Sequence, residues 1–210
     1  PKKSFSIITN GIDLEKFQFN SKIREEMRER NSLDEKFVIG HVGRFSKQKN
    51  HEKLIDIFSM TSKAIPNAKL VLIGDGELRT EIKEKLDVLF VGLSDEVEKW
   101  LQAIDMIVFP SLFEGLPLGL VEAQAAGLPC VLSDTISPDI AITDLVKFVS
   151  LDASAEEWVD NITALKGIFD RFERVDFVKR KIRDAHFDIK TNCVDLCRLY
   201  EKLVASGGKI

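Results

Sequence analysis

Short apolar runs alternate with amphipathic stretches along most of this chain. The apolar runs end in glycine or in polar loops, and they predict strands at residues 5–8, 37–42, 69–73, 88–91, 105–109, 129–132 and 146–149. Between them, apolar residues recur at helical spacing and predict helices at 21–30, 51–64, 76–86, 95–103, 118–126, 156–165, 174–185 and 190–204. Strands that alternate with helices are typical of a parallel sheet with helices on both faces, which is a doubly wound α/β fold.

The stretch from Phe109 to Asp134 contains the clearest of these patterns, with strand, loop, helix and strand in order. Pro117 suits the first turn of the helix because proline has no backbone N–H and a preset φ angle. Gly127 is a typical C-terminal stop. The helix between them is apolar on nearly every face, so we expect it to be buried. Glu122 is conspicuous there and needs a partner, because an unpaired charge among apolar side chains is costly.

At 210 residues, 44% hydrophobic and 30% charged, the chain has enough material for one well-buried domain. A net charge of −4 does not favour nucleic acid or an anionic membrane surface as a partner, so any anion site must be local. Cys130, Cys193 and Cys197 lack the spacing of a disulfide framework, which predicts a reducing, cytoplasmic location. Pro1 stands in place of Met, so we expect a fragment of a longer chain.

Two cationic residues follow the predicted strand 37–42. In doubly wound folds ligands bind at the carboxyl ends of the strands, and Arg44 and Lys49 lie in such a loop, directly before a helix. A helix N-terminus attracts anions through its free N–H groups and its dipole, and two cations strengthen that attraction. Phosphate is therefore the predicted ligand. From this motif alone, the alternative that both residues are solvated loop charges stays open.

A second anion site is predicted at the turn 115–118, where backbone N–H groups at the start of the buried helix could bind a phosphate oxygen. The adjacent Glu114 and Glu122 could not, because two like charges about 4 Å apart cost on the order of 4 kcal/mol at an effective dielectric of 20. We expect these carboxylates to bind hydroxyl groups, and phosphates flanked by hydroxyls describe a nucleotide sugar. The alternatives are a solvated Glu114 and a Glu122 that only offsets the helix dipole.

Other nucleotide-binding motifs are missing. The segment 74–76 has two glycines, but Arg79 stands where the dinucleotide fingerprint needs a third, and the chain has no GxxxxGK[ST] P-loop. It also has no Asp-x-Asp pair, so we expect no carboxylate-held divalent metal on the phosphates. We expect no other cofactor either. Cationic side chains and helix dipoles would then stabilise a leaving diphosphate.

Four segments together resemble a known family. They are Asn10–Asp13, Val42–Phe45 with Lys49, Ile73–Leu78, and Glu114–Pro117 followed by Glu122. In this order, they are similar to the C-terminal, donor-binding domain of group 1 (family 4) retaining glycosyltransferases with the GT-B fold. The resemblance covers nearly the whole chain.

The resemblance implies a role for each matching residue. Arg44 and Lys49 would bind the donor diphosphate and Glu114 the transferred sugar, so these three are the predicted catalytic residues. Glu122 would hold the nucleotide ribose. The predicted donor-binding residues are Gly43, Arg44, Lys49, Val91, Gly92, Leu93, Glu114, Gly115, Leu116, Pro117, Leu118 and Glu122, of which residues 91–93 would line the base site.

The resemblance also implies an activity, the transfer of a hexose from a UDP- or GDP-sugar to an acceptor with retention, in bacterial polysaccharide biosynthesis. Residues 1–188 would form the donor-binding domain, and residues 189–210 a crossover helix and tail. The N-terminal acceptor-binding domain would be absent, so the fragment would be inactive alone, and any association with the inner face of the membrane would be peripheral and through the full-length protein. The crossover helix would expose Val194, Leu196, Cys197 and Leu199. A sugar-nucleotide epimerase of this fold and a non-catalytic nucleotide-binding module are the alternatives.

Overall fold

The computed structural model describes residues 8–79 and 88–205, and the six strands within them form one sheet. The strands are β1 (Phe37–Val42), β2 (Ala68–Ile73), β3 (Val88–Gly92), β4 (Met106–Phe109), β5 (Cys130–Ser133) and β6 (Val146–Val149). Their order is β3-β2-β1-β4-β5-β6, and each adjacent pair is parallel. This is the strand order of dinucleotide-binding doubly wound folds, so the predicted fold class is confirmed.

Helices cover both faces of the sheet. In the described residues they are α1 (Leu14–Phe17), α2 (Ser21–Arg30), α3 (His51–Ala64), α4 (Val97–Ala103), α5 (Leu118–Ala125), α6 (Ala155–Leu165), α7 (Val175–Asp184) and α8 (Ile189–Ala205), with 3₁₀ turns at Lys47–Lys49 and Pro138–Ile140. Side chains alternate along the strands, so Val71 and Ile73 belong to the core cluster that includes residues of α5 and α7, whereas Leu70 and Leu72 belong to the cluster that includes residues of α3 and α6. None of these helices combines the length and the apolar character needed to cross a membrane.

The helix α5 is the buried helix that the sequence predicts, and Leu120 and Ala123 are fully buried in it. The helix ends just before Gly127, as predicted. Gly127 has a φ of +71°, and the Leu128 N–H donates to the Ala123 carbonyl. Pro117 differs from the prediction. It precedes the helix instead of starting it, because its ψ of 112° leaves the residue extended.

Most other elements agree with the prediction to within one or two residues. Residues 5–7 of the first predicted strand and residues 80–86 of the predicted helix 76–86 lie outside the described residues. The helix α1 was not predicted, because four residues are too short to show a periodic pattern. The Asp13 carboxylate caps it by accepting hydrogen bonds from the N–H groups of Glu15 and Lys16.

The start of α4 differs from the prediction. The sequence predicts a helix at 95–103, but α4 begins at Val97. The Ser94 hydroxyl accepts a hydrogen bond from the Glu96 N–H at 3.1 Å and closes a local turn before the helix. Ser154, in contrast, caps α6 directly, and its hydroxyl accepts a hydrogen bond from the Glu157 N–H at 3.3 Å.

The helix α8 packs through its first turns on the chain that precedes α1. Asn192 is buried there, and its amide donates to the backbone carbonyls of residues 9 and 186. Val194 and Cys197 are exposed, as expected of a crossover helix. Leu196 and Leu199 are half-buried, so the expected apolar strip is only partly exposed. The domain boundary at 188–189 stays a prediction.

Three arginines near the amino ends of the strands bind the carbonyl groups that end α4 and α5. Arg171 donates to the carbonyls of Leu101, Gln102, Ile104 and Ala126. Arg24 and Arg28 both pair with the Asp105 carboxylate and also donate to carbonyls at the end of α4. Burial, with the neighbouring Arg24 acting in the same direction, lowers the pKa of Arg171 to about 9. The guanidinium is therefore charged at neutral pH and supplies donors that the helix ends lack.

Arg171→Met is expected to lower the free energy of unfolding by at least about 3 kcal/mol, because several carbonyl groups lose a charged donor together. Urea unfolding followed by circular dichroism measures the effect. Arg198→Met is the matched control, since Arg198 is exposed on α8 and forms an exposed ion pair with Asp195. It should change stability by less than about 0.5 kcal/mol. Equal effects of the two substitutions would contradict the role given to Arg171.

Candidate functional site

The loops after β1 and β4 meet at the point where the strand order reverses. β1 leads through residues 43–50 and α3 to β2, whereas β4 leads through residues 110–117 and α5 to β5, on the other side of the sheet. Connections that run in opposite directions leave a crevice at the carboxyl ends of the two strands. The two loops that the sequence singles out therefore lie side by side.

Lys49 and Glu114 form an ion pair across this crevice. The Lys49 Nζ atom lies 2.6 Å from Glu114 Oε1, and the two side chains are only 15% and 9% exposed. The ammonium also lies 4.5 Å from the centroid of the Phe109 ring. Gly43 leaves room for the lysine stem, since a Cβ there would lie 3.0 Å from Lys49 Cε. The pair is shielded from water, so its two charges attract more strongly than those of an exposed pair.

The loop that contains Glu114 is also held from the side of β5. Glu114 forms an isolated parallel bridge with Ile136, in the segment that follows β5. The hydroxyl groups of Ser133 and Thr135 both donate to the Ser111 carbonyl, at 2.6 and 2.8 Å. The position of the carboxylate thus depends on three neighbouring strands and their loops.

Arg44 lies apart from this ion pair. Its side chain is 76% exposed, and its Nη2 atom lies 3.4 Å from Glu77 Oε2. We expected Arg44 and Lys49 to act side by side, but here one side chain is exposed and the other is held against Glu114. An exposed ion pair contributes little to stability, so Arg44 can exchange Glu77 for another anion at low cost.

A cleft of about 520 Å³ opens at the carboxyl ends of β1 and β2, with Arg44 on its wall. Leu93, one of the residues predicted for the base site, lines this cleft and is 83% exposed. Val91 and Gly92, the last two residues of β3, are not among the described residues that line it. Two further residues after β3, Ser94 and Val97, line the cleft and were not predicted. Their position just after the carboxyl end of a strand could have identified them as candidate binding residues.

Gly74 and Gly76 allow the loop after β2 to pack against the loop after β1. A Cβ on Gly74 would lie 2.0 Å from the Gly43 carbonyl oxygen, and one on Gly76 would lie 2.4 Å from the Phe45 carbonyl oxygen. The φ of Gly74 is +133°, which also favours glycine. The two glycines that resembled an incomplete dinucleotide fingerprint therefore shape the wall of the cleft.

The turn before α5 presents accessible backbone. Gly115 and Leu116 are exposed, and Pro117 and Leu118 are half-buried. A Cβ on Gly115 would contact nothing within 4 Å. The start of α5 is therefore an open helix N-terminus, which attracts anions.

Glu122 has an opposite charge near it, as its burial requires. Burial raises the pKa of Glu122, while the Lys16 ammonium opposes the shift and the Glu98 carboxylate adds to it. Lys16 Nζ lies 3.3 Å from Glu98 Oε2, so one lysine serves two carboxylates. Sequence reasoning missed Lys16 because it lies on the short helix α1.

Two buried histidines lie close to Lys49. His41 on β1 and His51 at the start of α3 are 0% and 1% exposed, and their ring centroids are 4.9 Å apart. His41 Nδ1 lies 3.1 Å from the Val108 carbonyl oxygen, whereas His41 Nε2 and both nitrogens of His51 have no hydrogen-bond partner in the described residues. Burial lowers the pKa of both rings, to about 4 for His51, and the charge of Lys49 acts in the same direction. Both rings are therefore neutral at pH 7.

The structure brings Gly43, Lys49 and Glu114 together and places Arg44 and Leu93 at the adjoining cleft. Within residues 8–79 and 88–205, no three His, Cys, Asp or Glu side chains come close enough to hold one metal ion. The expectation that no metal or other cofactor is needed stays a prediction.

Comparison with known families bears directly on this arrangement. Residues 22–167, more than half of the chain, match the family model described as Glycosyl transferases group 1. The chain belongs to this glycosyltransferase family. The resemblance that the motifs predict is thereby confirmed.

Relatives of this glycosyltransferase chain include EpsF of Bacillus subtilis (strain 168), whose name designates a candidate glycosyltransferase. The two are 36% identical over 203 residues, which are 92% of this chain and 52% of EpsF. The UDP-Gal:alpha-D-GlcNAc-diphosphoundecaprenol alpha-1,3-galactosyltransferase of Escherichia coli is 31% identical over 220 residues, which are 89% of this chain and 55% of that enzyme. Further relatives are named for polysaccharide biosynthesis. The chain spans about half the length of the first two relatives.

Solved structures share the fold. HepE of Anabaena, in complex with UDP-glucose, superposes with a TM-score of 0.74 and 20% identity, covering 94% of this chain and 57% of HepE. At this identity the likeness concerns the fold alone. It agrees with the GT-B-type Rossmann-like domain that the sequence predicts.

The buried histidines should make this glycosyltransferase chain less stable in acid. Their folded pKa values lie below the value of about 6.5 in an unfolded chain, so the unfolded state binds protons first as the pH falls. Stability should be full above about pH 6.5 and fall between pH 6.5 and 4. His51→Phe retains an aromatic ring beside Phe45 and should remove up to about 3 kcal/mol of that loss.

Urea unfolding between pH 4 and 7.5 measures this loss. The control is His186→Asn, because His186 is exposed and its φ of +59° suits asparagine. A pH dependence that is the same in His51→Phe and in the wild type would contradict the assignment.

Glu122→Gln is expected to raise the thermal midpoint of the unliganded chain at pH 7. Because burial raises the folded pKa of Glu122 above 4.5, its charge costs stability as the pH rises beyond that value, and glutamine removes the cost. Below pH 4.5 the two chains should unfold alike. Glu201→Gln on the exposed face of α8 is the control. A lower midpoint at pH 7 would show that the attraction to Lys16 outweighs the burial of the charge.

Proposed function

We propose that this chain binds a nucleoside diphosphate sugar and forms the donor-binding half of a retaining glycosyltransferase that acts in polysaccharide biosynthesis. The buried ion pair between Lys49 and Glu114, beside a cleft at the carboxyl ends of β1 and β2, supports this most directly. It places a cation suited to phosphate next to a carboxylate suited to hydroxyl groups. Both lie where doubly wound folds bind their ligands.

Lys49 and Arg44 would bind the diphosphate. A lysine ammonium has three donors, and Glu114 occupies one of them, so two remain for phosphate oxygens. Arg44 would leave its exposed partner Glu77 and approach from the cleft. Negative charge grows on the diphosphate as its bond to the sugar breaks. The two cations and the N-terminus of α5 would stabilise that charge.

Glu114 would contact the transferred sugar. Its Oε1 accepts a hydrogen bond from Lys49, which leaves Oε2 to accept one from a sugar hydroxyl. The acceptor oxygen would attack the anomeric carbon on the face that the diphosphate leaves, and the acceptor proton would pass to the departing phosphate oxygen. Attack on that face gives retention of configuration.

The cleft would hold the nucleoside. Leu93 offers an exposed apolar side chain to the base, and Glu122, which lies outside the cleft lining, would bind the ribose hydroxyls from α5. HepE was solved with UDP-glucose, and the relative from Escherichia coli is named for UDP-Gal. These names support a UDP-sugar as the first donor to test, with a GDP-sugar as the second.

The family match favours sugar transfer over the epimerase and the non-catalytic module. The acceptor would bind to a second domain, since the relatives are about twice as long as this chain. Hexosyl specificity, the domain boundary at residues 188–189 and low activity of the chain by itself belong to the same proposal.

Calorimetric titration of the chain with UDP, GDP and UDP-glucose is expected to detect binding of at least one of them. Lys49→Met should weaken that binding roughly 10- to 100-fold, because a charge-assisted hydrogen bond to phosphate is lost. Lys47→Met is the matched control, since Lys47 is exposed, lies in the same 3₁₀ turn and carries the same charge. It should change affinity by no more than about twofold, because exposed charges are screened.

Two results would oppose the proposal. The first is the absence of binding up to millimolar nucleotide. The second is an equal loss of affinity in Lys47→Met and Lys49→Met, which would indicate a general charge effect instead of a defined phosphate contact.

A further inference from the structure

We infer that Gln48 is a positioning residue that sets Lys49 against Glu114 by joining the two loops at the crevice. The inference deepens the proposed function and rests on it, because the ion pair matters for transfer only if this site binds the donor. Gln48 is half-buried in the 3₁₀ turn directly before Lys49.

Gln48 makes two hydrogen bonds to the loop after β4. Its backbone carbonyl accepts from the Leu112 N–H at 2.8 Å, and its side-chain Nε2 donates to the Phe113 carbonyl at 3.0 Å. The next residues along the two loops are the ion pair itself, with Lys49 Nζ 2.6 Å from Glu114 Oε1. In the described part of the chain, these three contacts are the hydrogen bonds that join one loop to the other.

The ion pair cannot by itself fix how the loops lie. A lysine has a flexible four-carbon stem, so many backbone arrangements would still allow its ammonium to meet the Glu114 carboxylate. Hydrogen bonds to two consecutive backbone groups restrict the backbone instead. That restriction matters because a displacement of about 1 Å is enough to slow a reaction severely.

Packing does little to hold the tip of the loop after β4. Leu112 and Phe113 are 43% and 61% exposed, and Leu116 is 38% exposed, so these apolar side chains gain little from the domain interior. The hydrogen bonds from Gln48 are therefore a main restraint on the segment that precedes Glu114.

The contact to Phe113 requires an amide at position 48. Glutamate has the same length but no donor, and methionine fills similar space without a polar group. The Nε2 group of Gln48 is bonded to the Phe113 carbonyl, so the role inferred for Gln48 is to hold this loop.

A double-mutant cycle tests the inference, using Gln48→Met, Glu114→Gln and the double variant of the 210-residue chain. The first readout is the rate at which a small amine-reactive reagent labels Lys49 in the absence of any ligand. Mass spectrometry measures this rate. Gln48→Met should raise that rate roughly two- to tenfold, the range that corresponds to the net loss of one hydrogen bond. In the Glu114→Gln background, Gln48→Met should have little further effect, because the pair that it positions has already been weakened.

The second readout is affinity for the nucleoside diphosphate that the wild type binds, which should fall by a similar factor in Gln48→Met. Gln102→Met is the matched control, since Gln102 also joins separate segments, accepting from the Asn20 N–H at 3.0 Å and donating to the Glu98 carbonyl at 3.1 Å. It should lower the thermal midpoint and leave Lys49 labelling unchanged.

Unchanged labelling in Gln48→Met would overturn the inference, as would the same increase in both Glu114 backgrounds, since that would indicate a merely structural role. Because the labelling needs no ligand, it tests the inference about Gln48 separately from the proposed function. A wild-type chain that binds no nucleoside diphosphate would refute the proposed function alone.

Discussion

The candidate site depends on the reversal of strand order between β1 and β4. Because the two strands send their connections to opposite faces of the sheet, the loops that follow them lie side by side, and Lys49 meets Glu114 across 65 residues of sequence. The ion pair is shielded from water, so one charge without the other would be costly there. Each element that fixes either loop, from Gly43 beneath the lysine stem to the bridge between Glu114 and Ile136, therefore supports the same contact.

The two ends of the sheet show a division between stability and function. At the amino ends of the strands, Arg171 and its neighbours donate to the carbonyls that end α4 and α5. At the carboxyl ends, several groups retain unused hydrogen-bonding capacity. The ring nitrogens of His51 have no partner in the described residues, and the turn before α5 presents exposed backbone. Unsatisfied polar groups at one end of an otherwise well-packed domain are typical of a binding site.

Much of the fold and part of the site could be predicted from local patterns. Continuous apolar runs located the strands, because a strand buried on both faces is apolar whichever strands it pairs with. Helical spacing of apolar residues located most of the helices. The rule that ligands bind at the carboxyl ends of parallel strands then located the loops of Arg44 and Glu114. The predicted start of α4 and the predicted place of Pro117 within α5 were wrong by one or two residues. Side-chain hydrogen bonds and backbone angles fix where a helix begins more closely than periodicity does.

The sequence by itself determined the order of the strands and helices along the chain, the burial of α5 and the family, because each follows from residues close together in the chain. Only the tertiary structure decided that Lys49 pairs with Glu114, that Arg44 turns to Glu77, and that Gln48 joins the two loops. It also decided that Lys16, on a helix of four residues, is the positive charge that acts on Glu122. These partners are set by where the sheet places its loops, and no window of local sequence contains that information.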